Sequence, residues 1–526
     1  MPNKNILLIE PGYKNKYPPL GLMKLASYHG PYGKKDRVRF IKGEDRAVAE
    51  TVWDRIYVTT LFSFEWKTIA KSINFALDIS RNQPSKVFVG GIAASLMHAA
   101  FLEEPRWRGI RFIKGLLADA PAISLELDDF AEELYSDDRE GTPIEDLVPD
   151  YSILDQIKQQ YVYPVHDAYF AYASRGCVRK CHFCGVPKLE GAQRDANPIS
   201  YVVRGIEERY GQKKDLTLMD NNVVASPNYK NIIAEIRDLG FTPGAKLHRT
   251  GKPPVQRRVD FNQGVDARIL CKDKMYLREM STICIKPLRI AFDHIGVRKP
   301  YETAIRYAHE FGLNALSNYM LYNFHDSPGD LYERMRLNID LNEELGTSIF
   351  SFPMRYQPTD LKDRSYVGEH WTRYSLRSMQ IILQATHGVV SGAPPFFRRA
   401  FGESIQTFEA LLLRPERFLF NRVWYEELSG LAEFEEFSKA FRTISAGDRQ
   451  ELAALLSSVK PSKFVDLTSK TENRNVLKVL PYYVPLDKDE EAKIWQASKD
   501  HRTVQHDVDA IPDEELVEDA GLLEAA

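Results

Sequence analysis

Residues 169–185 read YFAYASRGCVRKCHFCG. The opening six are small, apolar or aromatic, which predicts a buried strand, and Arg175-Gly176 closes it with a turn. Three of the chain's five cysteines follow at once, Cys177, Cys181 and Cys184, spaced Cys-x3-Cys-x2-Cys. Thiolates so close along the chain can wrap one soft metal centre. A structural zinc asks for four ligands, usually from paired knuckles. His182 falls between two of the cysteines and is expected to point away from a shared centre. Cys271 and Cys284 are isolated in the sequence. A 4Fe–4S cluster on three cysteines leaves one iron open to an outside ligand. A zinc site and three unrelated buried thiols are the alternatives.

Working outward, further strands are predicted at 215–219, 258–264, 288–293, 315–322 and 348–353. Helical spacing lies between them at 201–210, 229–239, 274–280, 301–311 and 331–345. These six βα units are too few for an eight-fold barrel and suit a partial one, with its active site at the strands' C-terminal ends. Those ends are polar. They carry Asp220-Asn221-Asn222, then Asn262-Gln263-Gly264 with Asp266 and Arg268, then Asp293-His294, then residues 323–326, and finally Met354-Arg355-Tyr356. Any one of these could be a cap or turn residue. Together on one rim they predict a site. The Arg355 guanidinium is expected to hold a carboxylate bidentately, with pairing to Asp360 or Asp363 as the alternative.

Before the cysteine stretch, residues 5–10, 55–61 and 86–89 read as buried strands, and 20–28 and 66–80 as helices. This alternation predicts a doubly wound parallel sheet. The expected division is 1–150 for this sheet and its linker and 151–365 for the partial barrel. A helical region, 366–486, and an acidic tail, 487–526, complete it. Residues 116–165 read as an acidic, irregular connection, and 476–484 as one late strand. The tail holds thirteen Asp or Glu against four Lys or Arg, so the whole-chain charge of −3 leaves +6 on the rest. Such a balance allows an anionic substrate without demanding one. The tail is expected to be a solvated end. The basic loop 248–258 is expected on the face away from the site, and Cys271 as a small buried thiol. Few cysteines and no apolar run of about 18 residues predict a cytoplasmic protein with no membrane partner. The first ten residues read as a strand, not a signal peptide.

Cys177, Cys181, Phe183 and Cys184 match, position for position, the Cys-x3-Cys-x-aromatic-Cys loop of the radical S-adenosylmethionine (SAM) superfamily. The chain resembles that superfamily over residues 165–360. The resemblance implies a 4Fe–4S cluster on the three cysteines, with SAM bound to the open iron and cleaved by one electron to a 5′-deoxyadenosyl radical. It implies SAM contacts from Phe183, Asp220, Asn221, Gln263, Arg268 and Asp293, and a catalytic rim at Arg355 and Tyr356. Asp220-Asn221 stand where the superfamily often has a Gly-Gly-Glu-like segment, and the glycines are missing here. The N-terminal part resembles the cobalamin-binding domain of one subgroup, through residues 18–22, 60–63 and 87–91. Gly90 and Gly91 would let backbone approach a corrin. No Asp-x-His-x-x-Gly signature offers a lower axial histidine.

The implied function is a cobalamin-dependent methyltransferase. The alternatives are a radical SAM enzyme without working cobalamin, and a non-catalytic Fe–S protein. Sulfur insertion is disfavoured because no second cysteine cluster is present. The substrate class stays open among small molecule, peptide and RNA, and a reductant such as flavodoxin or ferredoxin is expected.

Overall fold

The computed structural model describes residues 4–118 and 143–505. Five strands come first: β1 (Asn5–Glu10), β2 (Arg37–Lys42), β3 (Arg55–Thr60), β4 (Val87–Gly91) and β5 (Arg111–Phe112). They form one parallel sheet in the order β2-β1-β3-β4-β5. β1 is apolar on both faces because both are covered. Ile6 and Leu8 face the helix Leu20–His29 and the middle of the chain, while Leu7 and Ile9 face the helix Trp66–Ile79. That alternation is the two-residue period of a strand. β2 and β5 were not expected from sequence. β2 reads RVRFIK and lies at the sheet's edge, where only its last three residues are buried, so its charges hide the pattern.

The second set begins with β6 (Ala168–Ala171), β7 (Ser174–Arg175), β8 (Arg194–Asp195), β9 (Asp215–Leu218), β10 (Lys246–Leu247) and β11 (Val255–Gln256). It continues with β12 (Val259–Phe261), β13 (Leu288–Arg289), β14 (Ala315–Tyr322) and β15 (Ser348–Arg355). β6, β9 and β12 pair in parallel, as do β13, β14 and β15. Parallel bridges Val259–Ile285 and Val265–Ile290 join the two groups. β7 and β8 form a short antiparallel ladder that brackets the cysteine loop. The helices lie close to their expected spans, at Ile199–Tyr210, Tyr229–Asp238, Met275–Met280, Arg298–Glu310 and Pro328–Leu345. The last is set at both ends by its sequence. Ser327 and Asp330 form a capping box, Pro328 opens the first turn, and Gly346 (φ 65°) closes it in the left-handed region.

Residues 143–165 run between the two sets and pack firmly. Ile144, Val148, Tyr151, Ile153, Ile157 and Tyr163 all enter the core shared by the first sheet and the second set. Residues 119–142 of the expected acidic connection lie outside the described residues.

From Arg373 onward the chain is helical, around an aromatic core that includes Tyr374, Phe418, Phe437, Phe464 and Tyr483. The strand expected at 476–484 is instead a helix, Arg474–Val479, followed by a 3-10 turn, Leu480–Tyr483. Asn473 starts it by accepting from the backbone N–H groups of Asn475 and Val476, so a cap overrides the β-branched composition. The acidic segment also departs from expectation, because Lys488–Gln505 is a helix that buries Ile494 and Ser498. Residues 506–526 lie outside the described ones. The basic loop is a hairpin, β10–β11, whose Arg249 grips Asp167 through two hydrogen bonds of 2.8 and 2.7 Å. Asp167 precedes β6, so this loop sits at the end of the strands opposite the cysteines. Among the described residues, no helix is long and apolar enough to cross a membrane.

Candidate active site

The C-terminal ends of both parallel sets open onto one cavity of ≈ 1840 Å³. Gly90, Gly91, Cys177, Cys181, Phe183, Cys184, Asn221, Gln263, Arg268, Asp293, Arg355 and Tyr356 all line it. Of the strand-end residues singled out in the sequence, Asp220 and residues 323–326 do not.

The cysteine loop is shaped by its own backbone. Gly176 has φ 75°, and a Cβ there would meet the Ala192 carbonyl oxygen at 2.3 Å, so only glycine makes the turn. Its N–H donates to Glu190 (2.8 Å), which also accepts from Asn221 (3.0 Å) and pairs with Arg175 (3.3 Å). All three cysteines are free and half-buried. The Arg179 N–H donates to the Cys177 sulfur (3.3 Å) and the Val186 N–H to the Cys184 sulfur (3.4 Å). Burial pushes the Cys181 and Cys184 thiols up, against the pull of Arg268 on the first and of the Val186 N–H on the second. Among the described residues, no three Cys, His, Asp or Glu side chains are arranged to hold one metal ion. Backbone donors to sulfur, a half-buried triad and an opening onto a cavity fit a cluster. Cys271 stands apart, its thiol near the Arg268 carbonyl, and Cys284 is buried with its pKa pushed up to about 11 by burial.

Asp220 has a different place from the one expected. It is 2 % exposed and lies beneath the loop. Its carboxylate accepts from the backbone N–H of Ala173 (2.9 Å) and from both the N–H (2.5 Å) and hydroxyl (2.7 Å) of Ser174. With those lone pairs taken, it anchors the chain entering the cysteine loop and does not face the cavity. Burial still raises its pKa to about 6.

Arg268 is held by Asp266 through bonds of 2.8 and 3.1 Å, and Asp266 also takes Arg179 of the cysteine loop at 2.5 Å. This clamp ties the loop to the segment after β12 and keeps the Arg268 guanidinium beside the Cys181 thiol. Asp293 has its pKa raised to about 6 by burial, against the pull of Arg334 and Arg268.

Phe183 packs edge-on against Phe324 (5.8 Å), which packs against Tyr356 (4.6 Å). Arg355 departs from the alternative of pairing with Asp360 or Asp363. Its Nη2 donates to the carbonyls of Arg364 (3.0 Å) and Tyr366 (3.1 Å), so that arm of the fork is used, and neither Asp360 nor Asp363 pairs with it.

The N-terminal wall has an apolar stretch of Pro18, Leu20, Leu61, Phe62, Ile92 and Leu116, beside the polar Glu10, Lys14, Asn15 and Lys24. Gly91 has φ 105°, and a Cβ there would lie 2.4 Å from the Thr60 carbonyl oxygen, so its need for glycine is internal to the sheet. Gly21 is different. A Cβ there meets nothing within 4 Å, which leaves that helix face open to the cavity. The only histidines among the described lining residues, His294 and His387, lie on the opposite wall.

Two features were missed in the sequence, and one expected rim residue, Asn323, has a role that was not foreseen. Asn323 (φ 68°) is fully buried and holds the Tyr356 and Tyr366 carbonyls and the Gly368 N–H, which shapes the rim. Tyr172 stacks on Arg175 at 3.9 Å on the cavity wall. Gln357 and Arg364 line the cavity beyond β15. Asn323 is among the residues singled out at its strand's end, and asparagine tolerates the left-handed region it adopts.

No protein-family model and no curated protein matches this chain. Its fold is similar to that of the radical S-adenosylmethionine methyltransferase TsrM from Kitasatospora setae, solved with cobalamin and a [4Fe-4S] cluster bound. The identity is 15%, the match covers 68% of this chain and 77% of that one, and the TM-score is 0.45. TsrM with tryptophan substrate and the SAM analogue aza-SAM bound gives 15%, 68%, 76% and 0.46. The apo cobalamin-dependent S-adenosylmethionine radical enzyme OxsB gives 12% identity, 100% of this chain, 83% of that one and 0.45.

Proposed function

We propose that this chain is a radical SAM enzyme whose second cofactor is cobalamin, and that it is a methyltransferase. The observation that carries the reading is the shared cavity. One wall is a three-cysteine loop at the C-terminal ends of β6–β15, read here as a partial (β/α)6 barrel. The other is the apolar rim of a doubly wound sheet. Cys177, Cys181 and Cys184 would hold a 4Fe–4S cluster, and residues 18–22, 60–63 and 90–92 would cradle the corrin. Together these cofactors supply one-electron cleavage of SAM and a transferable methyl group. The chain's own residues do the rest. Asn221, Gln263, Arg268 and Asp293 present polar groups to SAM. The clamp of Arg179, Asp266 and Arg268 fixes the cysteine loop. The apolar stretch of the N-terminal wall would limit water at a reactive centre. A reductant of the flavodoxin or ferredoxin kind would supply the electron.

Anaerobic reconstitution with iron, sulfide and hydroxocobalamin, followed by gel filtration, tests this. Wild-type protein is expected to carry about four irons, the content of that cluster type, together with corrin. Replacing all three cysteines by Ala should remove the iron and leave the corrin. Gly21→Phe, which fills the open face of the helix, should remove the corrin and leave the iron. Zinc without iron, or corrin that never co-elutes, would contradict the reading.

A further inference from the structure

A helix that belongs to neither parallel set helps to wall the cavity. It spans Arg373–Ala385 and follows β15 in the chain. Two hydrogen bonds between Ser351 and Val390, of 3.1 and 2.9 Å, bring its far end back alongside β15. One side of the helix is buried, with Leu376, Met379 and Ile382. The other carries Gln380 and Gln384, one turn apart on the same face, and His387 follows just past the end. All three are exposed, and all three line the cavity. Among the described residues, no hydrogen bond, ion pair or ring contact engages their side chains.

Exposed glutamines alone would mark only a wet helix face. His387 adds an independent observation. The helix closes in a Schellman turn, in which the Gly388 N–H donates to the Leu383 carbonyl (2.6 Å) and the His387 N–H to the Gln384 carbonyl (3.2 Å). Glycine is the usual residue at the position His387 takes, because that position is left-handed. Here a histidine stands at φ 51°, with a glycine one place later. A Cβ is disfavoured in that conformation, so the turn does not call for this side chain. Strained residues of this kind gather at ligand sites.

The surroundings select the ligand. Between residues 319 and 388 no carboxylate lines the cavity, so a cationic group meets no counter-ion there. The two arginines on that stretch are engaged, Arg355 with the Arg364 and Tyr366 carbonyls and Arg364 over the Phe64 ring. What is left is an imidazole and two carboxamides, each of which both donates and accepts. Leu321 and Met354, opposite each other across β14 and β15, add apolar surface to the same cavity. We propose that Gln380, Gln384 and His387 bind the substrate, and that the substrate offers them an amide carried on an apolar body. An amide pairs with glutamine in both directions, and no ion has to leave water. This rests on the proposed function and names the substrate class of its cavity.

The probes are 3-phenylpropanamide, its ester counterpart methyl 3-phenylpropanoate, which has no N–H, and the cation 3-phenylpropylamine. Each is titrated by ligand-observed NMR into full-length reconstituted protein holding S-adenosylhomocysteine. Wild type is expected to bind the amide about fivefold or more tighter than the ester, the worth of one hydrogen bond, and to bind the amine more weakly still. Replacing Gln380 and Gln384 together by Leu should abolish the preference for the amide. His387→Gly should weaken amide binding with Tm at or above that of wild type, because glycine suits the turn; a residue kept for the fold alone would not give that pair of results. An amide bound no better than the ester, variants that bind it as wild type does, no binding by wild type, or displacement of the amide by excess S-adenosylhomocysteine each overturns the proposal. Iron and corrin are measured on the same samples, so a failure of the cofactor reading is seen separately from a failure of this site.

Discussion

At the scale of single residues, the cysteine loop depends on a carboxylate that never touches a cofactor in this account. Asp220 satisfies three donors at the entry to the loop. Removing it leaves two backbone N–H groups buried and unpaired, at about 1–3 kcal/mol each. Asp220→Ala is therefore expected to destabilise the protein by about 2–4 kcal/mol and to lower cluster retention. Asp220→Asn, which keeps one acceptor oxygen, should cost less. Urea denaturation with parallel iron analysis checks both. A variant as stable as wild type would remove Asp220 from its anchoring role. The sequence marked Asp220 as chemically important because it stands at a strand's end. It could not show that the side chain turns back under the chain, since that depends on where Ala173 and Ser174 come to lie across the β6–β9 pair. The cysteines were legible for the opposite reason, because all three share one loop and their relation is local.

At the scale of elements, buried strands and amphipathic helices declared themselves through period and composition. What stayed hidden was settled by position in the fold. β2 is a charged edge strand, and the helix Arg474–Val479 is β-branched but capped. A titration follows from another buried element. His29, on the helix Leu20–His29, is 1 % exposed and bonds Asp36 (2.8 Å) and the Tyr57 hydroxyl (2.9 Å). Burial, with Arg55 adding to it, lowers its pKa from 6.5 to about 4, against the opposing pull of Asp36. Below pH 6.5 the unfolded chain takes up a proton that the folded chain refuses until about pH 4. Stability is thus full above the unfolded value and falls as the pH drops through this window. Between pH 8 and pH 5 the loss attributable to His29 should be about 2 kcal/mol. Chemical denaturation at the two pH values, in wild type and His29→Asn, measures it. A slope that the variant retains would assign the effect to other groups.

At the scale of the whole molecule, the cavity exists because two parallel sets present the same end of their strands to each other. The chain reinforces that arrangement in two places. One face of the first sheet shares a core with the second set through Ile144, Val148 and Tyr163. Across the rim, Lys362 lies over Trp66 (4.0 Å) and Arg364 over Phe64 (4.1 Å). The parallel class of each set was legible, and the way they face each other was not, because these contacts join residues about 300 positions apart, beyond the reach of local periodicity. The central claim is that the three cysteines hold a cluster whose remaining iron opens onto this cavity. Electron paramagnetic resonance of the reduced, reconstituted full-length protein, with and without SAM, tests it most directly. The expected result is the spectrum of one reduced 4Fe–4S cluster per chain, shifted when SAM is added. A spectrum indifferent to SAM, or no cluster signal from protein that has bound zinc, would contradict it.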